Sequence, residues 1–573
     1  MRFVPVLAAV LALVALAACE RLAGPDRTAR PRASGPEVQA AVQALGEDPH
    51  MVALALDIPG FGGYWYESPG GRLVVALTAD AGEGGFPAAR RAVLARFAAD
   101  VTHASPLASG WIEPPPEVVE RVVEHSFIEL ARHRARLRSA LFAIPEVVSL
   151  AVDEELNRVV IGLEDPSAEE AVLALVAELA VPAEVVSFLQ GSRIRMPGAD
   201  FGRWSPHPSP SGGSAGVTLN GPTADGKLRA GYQVQADGGS ACTLGFTAVL
   251  EDGSLVFVSN SHCSKTPWIT DSGDWGQPDT NNLVGLEIYD PRPSRCGGNF
   301  CRHSDAALME VSTDVSIALG EIGRTERRDR NCRIGSFDIF VEWCTRVVDP
   351  ENPTIRIASV RTGSTKKDVL DKIGPTTGWT WGLVTETCED RRGETGVVIT
   401  CGDQVDFVTG SGDSGAPVFQ YRHGNAEFRG IVYGFEDLRQ DSAGRKGWFQ
   451  DLAGIEWDLG TLTVMDPGSP RVEVLGRNLV QPDEECTWTA YMRRGLEPLS
   501  YGWSGILHGS GPSITGVVEE SGWLKVAVTD PLDRTDRDSL EVRVGGGPRC
   551  RDIDDDDSPG GDTLRLPPPP SGP

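Results

Sequence analysis

At 573 residues the chain exceeds what one hydrophobic core supports, so several domains are expected. With 53 basic and 80 acidic residues its formal charge is −27, which argues against a nucleic-acid partner because phosphate binding needs clustered Lys and Arg. The 66 Gly and 41 Pro point to β-rich, loop-rich architecture joined by linkers.

The chain opens with Arg2 and an apolar run to Ala18, the pattern of a signal peptide over 1–19. Its end, Leu16-Ala17-Ala18-Cys19, resembles a bacterial lipobox. That resemblance implies lipidation at Cys19, a membrane partner through the lipid, and a cell-envelope location or release after processing. The competing reading is an ordinary signal peptide; either way the chain is exported and disulfides are permitted. Residues 20–36 form a polar tether.

Residues 37–192 lack cysteine and show mixed periodicity, predicting an α/β (α+β) module. GRLVVALT (71–78) predicts a strand, 87–100 a helix, and 116–141 one long helix carrying His125 and His133. Residues 147–165 predict two strands around a polar turn, and 166–180 a helix. A Pro/Ser/Gly linker follows at 193–228. Its GGSAG matches the hydrolase-elbow pattern but lacks the strand and helix that such an elbow requires.

From 229 to 465 short apolar runs alternate with turns, predicting an all-β domain; strands are expected at 253–260, 305–312, 396–400, 416–421 and 428–435. Residues 466–549 again read β, and Cys486 followed by Trp488 and Trp503 resembles an immunoglobulin-like (Ig-like) sandwich. The acidic, Pro-rich tail at 550–573 is expected to be disordered, its Asp cluster a solvated run. Setting Cys19 aside leaves ten cysteines: Cys242, Cys263, Cys296, Cys301, Cys332, Cys344, Cys388, Cys401, Cys486 and Cys550. They predict five disulfides, most simply between sequence neighbours. With no C-x-x-C pair, no structural metal is expected.

The stretch VTGSGDSGAPVF (408–419) admits two readings. Gly410, Gly412 and Gly415 fit G-x-G-x-x-G, but a strand-like run follows where a dinucleotide site needs a helix. Gly412-Asp413-Ser414-Gly415 alternatively presents a nucleophilic serine, which needs a histidine base oriented by a buried carboxylate. FVSNSHC supplies His262 at the end of a strand beside Cys263, and RHSDAAL supplies Asp305 at the start of another. Asp290, His303 and Ser411 are the competitors.

Together these residues resemble the chymotrypsin-like (trypsin-like) serine proteases, nearest the bacterial streptogrisin-like and α-lytic-like branch. CTLGF, KIGPTTGWTWG (372–382) and the Cys388/Cys401 pair add to the likeness, which covers about 229–460. The resemblance implies a double β-barrel and a serine endopeptidase acting on polypeptides, with His262, Asp305 and Ser414 catalytic. It also implies an oxyanion hole from the amides of Gly412 and Ser414, and a structural role for Asp413. No cofactor is implied. The first specificity pocket falls near Val408, with a wall at Tyr433-Gly434-Phe435, and no aspartate lies six residues before Ser414 to favour basic residues. Ala416 departs from the family's glycine, and Asn260-Ser261 from its small pair before the histidine. Residues 37–192 weakly resemble that branch's pro-regions, implying a pro-region in cis. The alternative is a catalytically silent protease fold serving as a surface binding module through its Ig-like domain.

Overall fold

The computed structural model describes residues 36–82, 84–102, 116–196, 217–330, 344–436, 446–546 and 550. Cys19, the tether to residue 35, the GGSAG stretch, Cys332 and the acidic tail lie outside the described residues. Among those described, no helix is long and apolar enough to cross a membrane.

The chain is mostly β. Six strands, Val369–Gly374, Gly378–Arg392, Val397–Val405, Gly447–Asp451, Asn425–Phe435 and Pro417–Arg422, close on themselves, because the second also pairs with the third. Leu370, Val384, Val405, Phe407, Ala416, Val418, Val432 and Phe449 fill this ring. Before it in sequence, seven antiparallel strands run in the spatial order 246–249, 255–260, 306–311, 283–289, 274–276, 233–236, 241–243. Their inward residues, Phe246, Phe257, Val258, Trp275 and Met309 among them, form a core continuous with Phe419, Phe428 and Ile431 of the ring. The resemblance implied six strands in each barrel; pairing here gives a six-strand ring and a seven-strand path.

Residues 36–190 are not a separate layer. Strand Val147–Asp153 pairs through Leu150 and Ser149 with Asp390 and Arg391 of the ring, so strands 147–153, 158–163 and 186–190 extend the ring's own sheet. The remaining three strands, 61–66, 73–78 and 118–123, form a second small sheet. The helix expected over 116–141 is instead a strand, Val118–Val123, and then a helix, Phe127–Leu141. Val-Val-x-x-Val-Val favours β structure, and Ser126 caps the helix by accepting from Glu129 N. His125 therefore precedes the helix, where its ring lies 3.2 Å from Glu129. The ends of the expected linker are also structured. Ile194 is fully buried, and Leu228–Ala230 is a strand.

Helix 127–141 is fixed to the ring by buried charge. Arg134, with no exposed side-chain surface, lies 2.8 Å from Asp390 and 2.5 Å from Glu47, and Arg138 lies 2.5 Å from Asp390. Arg392 donates to the carbonyls of Phe142 and Val147.

Residues 471–544 form a three-stranded and a four-stranded sheet around Trp488 and Trp503, whose indole N–H groups donate 2.9 Å bonds to the carbonyls of Arg477 and Gly511. Disulfides join Cys242–Cys263, Cys296–Cys301, Cys388–Cys401 and Cys486–Cys550, as neighbour pairing predicts. Cys344 is also disulfide-bonded. Cys486 thus pairs beyond the sheets with Cys550, where a core cysteine on the 523–530 strand had been lacking.

Asp390→Ala leaves two guanidiniums facing a buried gap. It is expected to lower stability by about 3–5 kcal/mol in urea unfolding.

Candidate active site

Strand Leu255–Asn260 is buried on both faces from Val256 onward and ends at a buried turn, Ser261–Cys263. Strand Ala306–Val311 pairs antiparallel with it, Asn260 opposite Ala306. That register sets Asp305 against the turn. Its carbonyl accepts from Ser261 N (2.8 Å) and from the Asn260 amide (2.9 Å), and its Oδ1 accepts from His262 N at 3.2 Å. Its Oδ2 is hydrogen-bonded to His262 Nδ1. His262 is 2% exposed, Asp305 is fully buried, and Ala306 and Ala307 pack beside them. His262 Nε2 is buried and has no hydrogen-bond partner among the described residues. A ring whose Nδ1 proton is held by a carboxylate presents a lone pair at Nε2, the state needed to accept a proton.

The competitors lie elsewhere. Asp290 is held by Arg302 Nη1 and the Ser261 hydroxyl, each at 2.8 Å; burial pushes its carboxyl up and Arg302 opposes this. His303 lies 3.5 Å from Asp458 and against the ring of Trp457, with its side chain half-buried. The Ser411 carbonyl accepts from the Thr376 hydroxyl.

Ser414 lies in the loop joining ring strands 397–405 and 417–422. Two glycines allow the loop's shape. Gly412 has φ +94° and Gly415 φ +88°, and a Cβ on Gly415 would fall 2.2 Å from Thr243 O. The loop is bound to strand Ala241–Thr243. Thr243 N donates to Ser414 O, and the Thr243 hydroxyl to Gly412 O, both at 2.8 Å. The neighbouring Cys242 bridges to Cys263, beside His262. One residue pair thus links the serine loop to the histidine turn. The amides of Gly412 and Ser414 have no acceptor among the described residues, as an oxyanion site requires.

Asp413 turns inward and is fully buried. Its carboxylate accepts from Thr376 N (3.0 Å), Thr377 N (3.2 Å), Gly410 N (3.1 Å) and the Thr377 hydroxyl (2.5 Å), and lies 2.9 Å from Lys372 Nζ. The KIGPTTG stretch therefore supplies the scaffold of the serine loop. Sequence reasoning missed Lys372. Its signal was a lone lysine inside an apolar strand, which needs a buried anion. Ala416 is fully buried in the ring core beside Gly374, so its methyl has a place in the packing.

The expected pocket residues are enclosed. Val408 is 7% exposed, Phe435 6% and Tyr433 0%; burial holds the Tyr433 phenol well above its usual range. Residues 194–196 lie across them. Arg195 N donates to Phe435 O (3.0 Å) and Phe435 N to Arg195 O (3.2 Å), while a Cβ on Gly434 would fall 2.0 Å from Ile194 Cγ2. Ile194 and Met196 pack with Tyr433, Trp448, Val397 and Ile399.

No family model and no curated protein matches this chain. Among solved structures it is similar to a Nocardiopsis protease, with 14% identity, TM-score 0.30, and 42% of this chain and all of that one covered. It is similar to a glutamic-acid-specific serine protease described as using a histidine triad in substrate binding (19%, TM-score 0.30, 41% and 100% covered). A third is the chymotrypsin of Cellulomonas bogoriensis (18%, TM-score 0.29, 42% and 98% covered).

Lys372→Met strands a buried Asp413 carboxylate and is expected to cost about 3–5 kcal/mol in urea unfolding; adding Asp413→Asn should restore part of it.

Proposed function

We propose that the chain is a serine endopeptidase in which Ser414, His262 and Asp305 carry the chemistry. The buried His262–Asp305 pair supports this reading most, because its outer nitrogen has no hydrogen-bond partner among the described residues. Ser414 Oγ attacks the scissile carbonyl while His262 Nε2 takes its proton. Asp305 holds the imidazole tautomer and stabilises the imidazolium. The amides of Gly412 and Ser414 receive the oxyanion, an interaction worth roughly 3–4 kcal/mol per donor. The histidine then returns the proton to the leaving amine, and water repeats the sequence on the acyl-enzyme.

Four disulfides fit an exported protein, and Cys19 is the proposed lipid attachment, giving an envelope lipoprotein or a form released by processing. Residues 37–192 are read as a pro-region in cis. The antiparallel pairing of Arg195 with Phe435 supports this, since a segment leading out of that region occupies the proposed substrate wall. Residues 466–549 are read as an Ig-like sandwich, supported by two facing sheets around Trp488. A silent surface binding module is the competing function, and the presence of all three residue types, His262, Asp305 and Ser414, argues against it.

Fluorophosphonate should label the processed wild-type chain and spare Ser414→Ala; equal labelling, or none, sinks the peptidase reading. Asp305→Asn is expected to lower kcat by about 10⁴-fold, measured on a peptide substrate. With Val408 in place of a pocket aspartate, a peptide library should be cleaved after apolar residues; cleavage only after Lys or Arg would refute that preference.

A further inference from the structure

The junction between residues 36–190 and the ring encloses a small cavity lined by Glu47, Asp48, Glu154, Lys366, Asp403 and Asp451. Both sides of the junction contribute acids, and one lysine faces them. Lys366 Nζ lies 2.7 Å from Asp153 and 2.9 Å from Glu386, with Glu154 beside it. The other cations nearby are committed: Arg134 and Arg138 to Glu47 and Asp390, Lys367 to Glu155, and Arg391 to Glu389. Asp48 accepts from the amides of His50 and Met51, and Asp451 from those of Gly363 and Gly454. The His50 ring is bonded to the Thr362 hydroxyl. Glu154 Oε2 and Asp403 Oδ2 are buried without a hydrogen-bond partner among the described residues.

One ammonium cannot neutralise Asp153, Glu154 and Glu386 together, and the charges of Asp451 and Asp48 add to the burial of Asp403 in disfavouring its ionised form. We propose that this junction is a closure held shut by protons on Glu154, Glu386 and Asp403, which loosens as they ionise and uncovers the strand that Arg195 pairs with. It rests on the reading above that this strand is the substrate wall, and it adds how that site is regulated.

Burial, opposed by Lys366, pushes Glu154 from 4.5 up to about 8 and Glu386 up to about 7. Burial and then Asp451 push Asp403 from 3.8 up to about 7. The closed state therefore binds more protons than the open one. Its advantage is complete below the unperturbed values, declines as pH rises through the range up to about 8, and is lost above it.

The test uses the full chain carrying Ser414→Ala, with hydrogen exchange at pH 5.5 and 8.0 corrected for intrinsic rates and strand Gly522–Thr529 as internal reference. The opening constant should rise by about tenfold per pH unit for each proton released. Protection of Val147–Asp153 should accordingly fall at least tenfold relative to the reference. Glu154→Gln with Asp403→Asn should cut that fall below threefold; if the pair does not fold, each single variant should reduce it. A flat wild-type response, or an undiminished fall in the folded variants, overturns the closure. Fluorophosphonate labelling of the wild-type chain separates the two readings. If protection falls with pH but no pH permits labelling, the closure stands and the peptidase reading fails.

Discussion

Strand Gly378–Arg392 is the constraint on which the rest of the molecule depends. It runs for 15 residues and has more backbone partners than one sheet position normally offers. Its first half pairs with 369–374 and helps close the ring, while its second half pairs with both 397–405 and 147–153. A strand shared in this way has no solvent edge, so its polar residues must find partners inside. Glu389 is paired with Arg391 and the Trp448 indole, and Asp390 with Arg134 and Arg138. Burial of this many charges is tolerated because most are matched; Glu386, near the middle of the strand, shares the single ammonium of Lys366 with Asp153 and Glu154.

The candidate site rests on the same economy of buried charge. Asp413 is surrounded by three amides, a hydroxyl and an ammonium, so its carboxylate is satisfied without water. That arrangement fixes Gly412 and Ser414 through the backbone. The histidine side is built differently, from strand register and a disulfide. The two halves meet at Ala241–Thr243, where Cys242 and Thr243 serve one each.

Much of this was legible in the sequence, for reasons that differ by element. His262, Asp305 and Ser414 stood out because nucleophilic chemistry demands a fixed trio of residue types, and strand ends are readable where short apolar runs stop. Asp290 could be separated from Asp305 only in three dimensions, where the register of 255–260 against 306–311 decides the matter. The helix expected over 116–141 failed because Val118–Val123 carries charged residues at positions that also fit a helical face. The β preference of its valines, expressed once paired to 73–78, overrides that fit. The pairing of the 37–192 module with the ring could not be read from the sequence, because sheet continuation is a long-range pairing that leaves no local mark. The segment at 193–196 looked like linker for a related reason: Arg-Ile-Arg-Met finds its backbone partner only on a distant strand.

Arg134 reaches the carbonyl of Cys388 across 254 positions of chain. A ribosome making this protein therefore finishes helix 127–141 long before its partners exist. Until the ring strands emerge, strands 147–163 have an open sheet edge and Arg134 has no Asp390 to meet. Such contacts close late and slowly, and the unfinished edge is open to pairing with other chains. The N-terminal third thus cannot complete its contacts until the ring strands, made later, are available to receive them.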